Sequence, residues 1–381
     1  MLGFLCDYWK LKVQLNFNEN ERKLLSFFIK AISVSNEAKA NMVKEMKLFE
    51  KELFFYSVIK RQIEVPDLKP WSASLIAVLK EAMVFEDLNS IKYISKNKFE
   101  RLDELHTLQA LSTLARFHAS SIIFEERKSK ILRKRYRLND DFKNFLDKGG
   151  YDISNPWFIQ CMTGALEAVE KFSEYTKNVE LRSKIRKRWL GVWQSALNLS
   201  DSFIDSRCVI CHRDLWNNNM LFHYKEELGN KLVPDDCLLV DFQAVRYQEP
   251  AGDVILLLYC NLDPIYRENN LKLFLDYYYQ ELKRILISYK INITDILSMD
   301  TFLKSAEKQR LWGLIVSACL TPQFWLADTV TTETFCNTEN FNRILSQNKG
   351  AFIVKMMETN EEYRKTIMSI FDEIVERYCL Q

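Results

Sequence analysis

No stretch of this 381-residue chain stays apolar for the roughly 18 residues that a membrane-spanning helix requires. The longest candidates, such as Val254 to Cys260, are the size of a buried core segment. Charge of one sign is also lacking. Lys plus Arg number 53 against 51 Asp plus Glu, so no global field draws the chain to nucleic acid. Two local basic runs, Arg127 to Arg137 and Arg182 to Arg188, are interleaved with helix-forming apolar residues and read as solvated helix faces. The opening residues, Met1 to Cys6, are too few and lack the basic flank of a secretory signal. Internal repeats and low-complexity segments are absent, and no second C-x-x-C pair stands at zinc-ligand spacing. The run Cys208-Val209-Ile210-Cys211-His212 matches covalent haem attachment in form. That chemistry belongs to exported proteins, so the pair reads as reduced thiols on a strand. Nine Cys with no export signal predict reduced thiols and a cytoplasmic location, and Cys379 sits one place off a prenylation box.

What is present is a folded chain, with 48% hydrophobic residues, 25 Phe and enough length for two or three structural units. Trp9, Leu11, Val13, Leu15 and Phe17 alternate with Lys10, Lys12, Gln14 and Asn16, the period of a half-buried strand. A turn over Asn18 to Arg22 and a second strand over Leu24 to Ile32, carrying Lys30, should follow. A helix is expected from Lys39 to Arg61, with Met42, Met46, Phe49, Leu53 and Tyr56 facing inward. Glu52 falls on that apolar side. A buried carboxylate needs a cation, and Lys30 is the natural partner. Leu75 to Phe85 reads as one further strand, ending in Glu86-Asp87-Leu88.

From Arg101 the pattern turns helical. Leu102, Leu105, Leu108, Leu111, Ala115 and His118 form one stripe, with His118 read as a satisfied core histidine, and helical periodicity continues through 155–204, 253–290 and 300–379. Short apolar runs at Cys208 to Cys211, Met220 to Phe222 and Cys237 to Val240 interrupt it as strands. The expectation is an α+β fold of two lobes. A small sheet-plus-helix lobe spans 1–88 with a hinge near 85–88, and a large mostly helical lobe spans 89–381.

Two segments of the large lobe, 211–219 and 238–243, carry the chemistry. Asp214 stands five residues before Asn219, and Asp241 closes the apolar run Leu238-Leu239-Val240. Phosphoryl transfer asks a protein to position groups and neutralise charge rather than to form bonds itself. Asp214 is the candidate to accept or orient the proton of an attacking hydroxyl, while the oxygens of Asn219 and Asp241 suit Mg2+. Lys30, held by Glu52, would touch the phosphates of ATP, and the backbone of Phe85, Glu86, Asp87 and Leu88 would meet the adenine edge. Asn217 and Asn218 read as loop formers and His212 as a backbone-bonded brace. Asp253, after Pro250-Ala251-Gly252, reads first as a helix N-cap and second as a brace for the loop. Trp216, Tyr247, Trp312, Phe324 and Trp325 offer apolar surface for an acceptor.

Together these residues resemble the protein-kinase-like superfamily and, within it, the ecdysteroid-kinase-like family, a branch of the choline-kinase and aminoglycoside-phosphotransferase group. The resemblance covers most of the chain. Its anchors are Gly3-Phe4-Leu5, Phe49-x-x-Glu52-x-x-Phe55-Tyr56, Phe85-Glu86-Asp87-Leu88, Leu114 to Ala119, Cys211 to Asn219, and Asp241-Phe242-Gln243 with Pro250 and Asp253. It implies a two-lobed protein-kinase-like fold and ATP- and magnesium-dependent phosphorylation of a hydroxyl on a small, lipophilic molecule, with ecdysteroids the named example. It implies Asp214 as catalytic and Asn219 and Asp241 as metal ligands, with no nucleic-acid partner and no obligate protein partner inferred. The chain departs from the pattern at Arg213, where many relatives have Gly. Relatives also carry a segment ahead of the position of Met1, which implies either a gene model that starts late or a missing first strand and an incomplete phosphate-covering loop, with poor ATP affinity expected of the chain as it stands. His212-Arg213-Asp214-Leu215 with Asn219 fits a protein kinase too. Against that reading, Trp216 replaces the usual Lys, Gln243 replaces the Gly of D-F-G, and no Ala-Pro-Glu follows. A small-molecule binding protein that kept the fold and lost turnover is the alternative from outside the enzymes.

Overall fold

The computed structural model describes residues 4–16, 22–146, 149–201, 207–227, 229 and 231–381, the Ser346 side chain excepted. Gly3, Phe17 and residues 18–21 of the expected turn lie outside the described residues.

Four antiparallel strands, β1 (Cys6–Asn16), β2 (Arg22–Ile32), β3 (Leu75–Leu79) and β4 (Ala82–Glu86), form one sheet in the order β1-β2-β4-β3. The run expected as a single strand over 75–85 is therefore a hairpin. Lys80 and Glu81 make its two-residue tip, with Leu79 paired to Ala82, because the chain can reverse only where its side chains can face water. The strand β1 departs from expectation in parity. Trp9, Leu11 and Leu15 point outward, at 45%, 42% and 37% exposure. Residues opposed across an antiparallel ladder share a face. The register sets Tyr8 beside Lys30 beside Met83, and Lys10 beside Phe28 beside Phe85. Tyr8, Phe28, Lys30 and Phe85 line a cavity. The inner face of the sheet thus carries ligand-facing groups, and the apolar alternation fell on the other side.

The helical stretch after β2 has three segments, α1 (Glu37–Glu45), α2 (Leu48–Phe54) and α3 (Lys60–Ile63), with a π turn over Phe55–Ile59. Asn36 caps α1 by accepting from the Lys39 N–H at 3.1 Å. The expected continuous helix breaks at Lys47, whose left-handed φ of 53° costs a residue with a Cβ about 1–2 kcal/mol. Phe49 and Tyr56 are buried as expected, Met42, Met46 and Leu53 are half-buried, and Phe55 and Ile59 complete the stripe. The wider π turn lets two successive aromatic rings face inward. Phe55 stacks on Phe242 with ring centroids 4.5 Å apart, and Tyr56 meets the same ring edge-on at 5.6 Å.

The second part is mainly helical, built around α4 (Glu104–Leu132), which Asp103 caps at the His106 N–H. Leu111, Ala115 and His118 are fully buried, but Leu105 is 43% exposed. Leu102 lies ahead of the cap, so the inward face is set by His106, Ala110, Leu114 and Phe117. Helices over Ala251–Asn261 and Pro264–Ser288 pack against it, and Met299–Phe324 packs on the first of these and on the helices over Pro156–Phe172 and Val179–Asn198. Among them lie a three-stranded sheet, β5 (Ile94–Ser95), β7 (Met220–Glu227) and β8 (Lys231–Leu239), and a pair, β6 (Val209–Cys211) and β9 (Arg246–Gln248). Strands β7 and β8 run beyond the apolar residues expected of them, since the ladder continues through solvated polar residues. One apolar core joins both parts, and the Leu239 N–H donates to the Trp71 carbonyl at 2.9 Å across them. Arg133, Lys134, Arg182 and Arg186 of the basic runs are exposed. All nine cysteines are free thiols. Among the described residues no helix is long and apolar enough to cross a membrane.

Candidate active site

Two hairpin-like excursions meet beneath the first sheet. After β6 the chain runs through His212 to Trp216 into a 3-10 turn over Asn217–Asn219, then returns as β7. After β8 it passes Val240 into Asp241 and a second short turn over Phe242–Ala244. The Val240 N–H donates to the Asn219 carbonyl at 3.0 Å, so the two loops are held side by side.

The sequence left His212 and Asp253 as braces, and the geometry is specific about how. His212 is fully buried, and its Nε2 donates to the Val240 carbonyl at 2.9 Å while its Nδ1 accepts from the Asp214 N–H at 3.2 Å. Both ring nitrogens are engaged by backbone, which fixes one neutral tautomer. Burial lowers the pKa of the ring and reinforces that state. Asp253 is not the N-cap of its helix. Pro250 holds that position and Asp253 lies in the first turn. Its carboxylate accepts from the His212 N–H at 2.5 Å, the Arg213 N–H at 2.9 Å and His118 Nε2 at 3.3 Å. His118 Nδ1 in turn meets the Tyr278 hydroxyl at 2.7 Å. His118, Cys211 and Asp253 offer ligand atoms within 4.8 Å of one another, but those of His118 and Asp253 are spent on these hydrogen bonds.

Arg213 has a backbone that suits the Gly that the resemblance led one to expect there. Its φ is 66°, the left-handed region in which a Cβ costs about 1–2 kcal/mol. Its buried guanidinium lies over Trp312 at 4.7 Å and Tyr151 at 5.1 Å, which offsets part of that cost. Asp241 is also left-handed, at 69°. Such strain persists where the surroundings over-determine it, as they commonly do at functional loops.

The catalytic candidates converge. Lys30 Nζ lies 2.5 Å from Glu52 Oε2 and 2.6 Å from Asp241 Oδ1, with all three side chains buried or nearly so. Glu52 Oε1 also accepts from the Phe242 N–H at 3.2 Å, tying α2 to the second loop. Burial alone would lower the Lys30 pKa, but the flanking carboxylates of Asp241 and Glu52 outweigh it and hold the ammonium charged well above the ordinary lysine range. Asn219 Nδ2 donates to the Asp214 carbonyl at 2.8 Å and to its carboxylate at 3.0 Å. Burial, and next the negative charge of Asp241, push the Asp214 carboxyl well above the usual carboxylate range.

The hinge residues play distinct parts. Glu86 accepts from the Ser74 N–H at 2.7 Å, while Asp87 accepts from the Ser26 hydroxyl at 2.6 Å and pairs with Lys10 at 2.5 Å. The Glu86 N–H and the carbonyls of Asp87 and Leu88 are engaged with Ser74, Ser90 and Tyr93. Phe85, Glu86, Asp87 and Leu88 line a cavity of about 250 Å³, and Lys30, Glu52, Asp214, Asn219 and Asp241 line the same one.

Of the aromatic residues expected around an acceptor, Trp216 and Phe324 line this cavity, their rings stacked 3.7 Å apart. Tyr247, Trp312 and Trp325 do not. Tyr247 hydrogen-bonds Glu125 at 2.8 Å, Trp312 is covered by Arg213, and Trp325 packs against Arg101. Sequence reasoning missed Phe4, Tyr8, Tyr151, Trp157, Gln323 and Phe335, which also line it. The parity of Lys30 could have found Tyr8; the others are brought in by tertiary packing.

A model of the ecdysteroid kinase-like family matches residues 4–291. No curated protein matches. Among solved structures, the chain is similar to an ethanolamine kinase of Plasmodium vivax, with 10% identity over 95% of this chain and 83% of that one and a TM-score of 0.39. It is similar to a choline kinase from Cryptosporidium parvum Iowa II, with 13% identity over 97% and 91% and a TM-score of 0.43. It is also similar to the aminoglycoside phosphotransferase of a streptomycin–ATP ternary complex, with 15% identity over 87% and 93% and a TM-score of 0.35.

Proposed function

This chain belongs to the ecdysteroid kinase-like family, and we propose that it transfers the γ-phosphoryl group of ATP to a hydroxyl of a small, lipophilic alcohol, ecdysteroid-like or a related xenobiotic. The observation that carries this reading is the meeting of Asp214, Asn219, Asp241 and Lys30 on one cavity whose remaining wall is largely apolar. In this reading residues 1–88 hold the nucleotide and 89–381 hold the acceptor. The carboxylate of Asp214 takes the proton of the attacking hydroxyl and orients its oxygen. Lys30, kept charged and fixed by Glu52, sits against the phosphates. The hinge over Phe85 to Leu88 receives the adenine edge, with Ala73 and Leu221 contributing apolar wall.

Magnesium suits the residues present. Asp241 spends Oδ1 on Lys30, and Asn219 spends Nδ2 on Asp214, so Asp241 Oδ2 and Asn219 Oδ1 have no hydrogen-bond partner among the described residues. Two uncommitted oxygens beside an excess of buried negative charge form a hard-cation donor set. When bound there, the ion neutralises charge on the transferring phosphoryl group. The reduced state of the thiols accords with a cytoplasmic setting. Incubation with ATP and a panel of sterols, amino alcohols and glycosides, read by mass spectrometry, tests the proposal. A lipophilic alcohol gaining one phosphate ester supports it, and modification of choline-type or protein substrates alone contradicts it.

A further inference from the structure

Gln323 is a polar side chain set among apolar ones on the wall that the helical part gives to the cavity. It lies near the end of the Met299–Phe324 helix, flanked on the lining by Leu320 and Phe324 and facing Trp157. It is 8% exposed. Its Oε1 receives two donors, Lys349 Nζ at 3.2 Å and Trp157 Nε1 at 3.4 Å. An indole N–H and an ammonium can only donate. The amide orientation is therefore settled by its neighbours: the oxygen must face Lys349 and Trp157, and the NH2 must face elsewhere. Nε2 has no hydrogen-bond partner among the described residues and keeps some exposure on the cavity wall, where an accepting oxygen can reach it.

Lys349 supports this arrangement. It is buried at 2% exposure and makes no ion pair with a carboxylate among the described residues. Its other contacts are Cys161 Sγ at 2.9 Å and the Trp157 ring at 5.4 Å. The helix bearing it can approach so closely because Gly164 and Gly350 face each other; a Cβ on Gly164 would sit 3.0 Å from the Gly350 nitrogen. Burial would raise the Cys161 thiol, but hydrogen bonding with Cys319 and the charge of Lys349 bring it down to about 7, as expected beside a charged ammonium. A cation behind an amide oxygen polarises the amide and strengthens its N–H as a donor.

The geometry points to Gln323 as a specificity-determining residue that reads a hydrogen-bond-accepting oxygen, a carbonyl or an ether, on the part of the acceptor remote from the phosphorylated hydroxyl. The inference rests on the proposed use of this cavity for a lipophilic alcohol. It goes further by requiring a second oxygen that accepts and never gains phosphate. A site whose polar group pairs with one substrate oxygen discriminates against the analogue lacking it more strongly than apolar contact can.

Epiandrosterone and androstanol make a suitable pair of probes, since they share the tetracyclic skeleton and hydroxyl and differ by one distal ring ketone. Tryptophan fluorescence of the full chain, which has Trp157 and Trp216 in the cavity wall, reports binding of each. The readout is the ratio of the two affinities, which a general loosening of the site would leave unmoved. In the wild type the ketone should bind about tenfold or more tightly, the value of one good hydrogen bond. Gln323→Leu should bring the ratio to about one. Gln323→Glu keeps an oxygen for Lys349 and Trp157 and so preserves the packing if the Leu variant fails to fold; it should bring the ratio to one or below. A wild-type ratio near one, a ratio retained in both variants, or no binding of either probe would overturn the inference. Phosphate transfer to the two probes is measured separately. Ketone preference without transfer sinks the kinase reading and leaves Gln323 in its role, whereas transfer without preference does the reverse.

Discussion

Replacing Asp253 by Asn removes one charge and turns one acceptor into a donor at a fully buried position. Three donors converge on the native carboxylate: the N–H groups of His212 and Arg213, and Nε2 of His118. An Asn side chain can turn its oxygen toward His212 and His118, but its NH2 then confronts the Arg213 N–H, donor against donor. Stranding one buried N–H costs about 1–3 kcal/mol, and removing the charge weakens the two surviving bonds, each of which drew about 1.5–3 kcal/mol from it. The sum is about 3–5 kcal/mol, the range found when one partner of a buried charged network is removed. Urea unfolding measures this directly. With a slope of about 3 kcal/mol per M, the midpoint should fall by roughly 1 M or more with the slope unchanged. Because the same bonds hold Arg213 at its positive φ and set the peptide before Asp214, phosphotransfer should fall further than the folded fraction does. A midpoint within 0.3 M of wild type, in the sense of about 1 kcal/mol or less, would refute the assignment of Asp253 as the brace of the loop.

Asp241→Ala and Asn219→Ala should each weaken magnesium–nucleotide binding, and a titration with unchanged magnesium dependence in both would remove them as ligands. The pH profile of turnover should have an acid limb set by Asp214. Its pKa lies above the carboxylate range, activity is lost as pH falls and the group protonates, and added magnesium should move the limb to lower pH by neutralising Asp241; a limb insensitive to magnesium counts against the pairing. The same raised pKa makes Asp214 a burden on the fold. The folded state binds its proton more tightly than the unfolded chain, so stability declines as pH rises above the unfolded carboxylate value of about 3.9. Without divalent cation, Asp214→Asn should therefore gain stability over wild type with rising pH, and parallel stability curves for the two would argue against a raised Asp214 pKa in the folded state.

The readable parts of this chain were those in which one residue type can do the job. Asp214, Asn219 and Asp241 stand at fixed separations on short loops and meet on one cavity, and the structure sets Lys30, the cation expected for Glu52, 2.5 Å from it. Parity was misleading where burial serves a ligand instead of a core. In β1 the residues facing the cavity are Cys6 and Tyr8, while the regular apolar alternation of Trp9, Leu11 and Leu15 faces outward. The two-residue tip at Lys80 and Glu81 was lost inside an otherwise continuous β-favouring run. Gln323 and Trp157 lie 166 positions apart. Nothing local marks either, since their significance exists only once the Pro156–Phe172 and Met299–Phe324 helices pack together. Tyr247 and Trp312 failed as pocket residues for a related reason, because an aromatic on a helix or strand in the core usually serves the core.

Transfer of phosphate from ATP to a lipophilic alcohol, compared between the wild type and Asp214→Asn under one set of conditions, tests the central claim most directly. The account predicts a phosphate monoester formed by the wild type and a loss of about 100- to 10,000-fold in the variant, with ATP binding retained. Product formed equally by both proteins, or no product from a wild type that binds ATP and the alcohol, would contradict it.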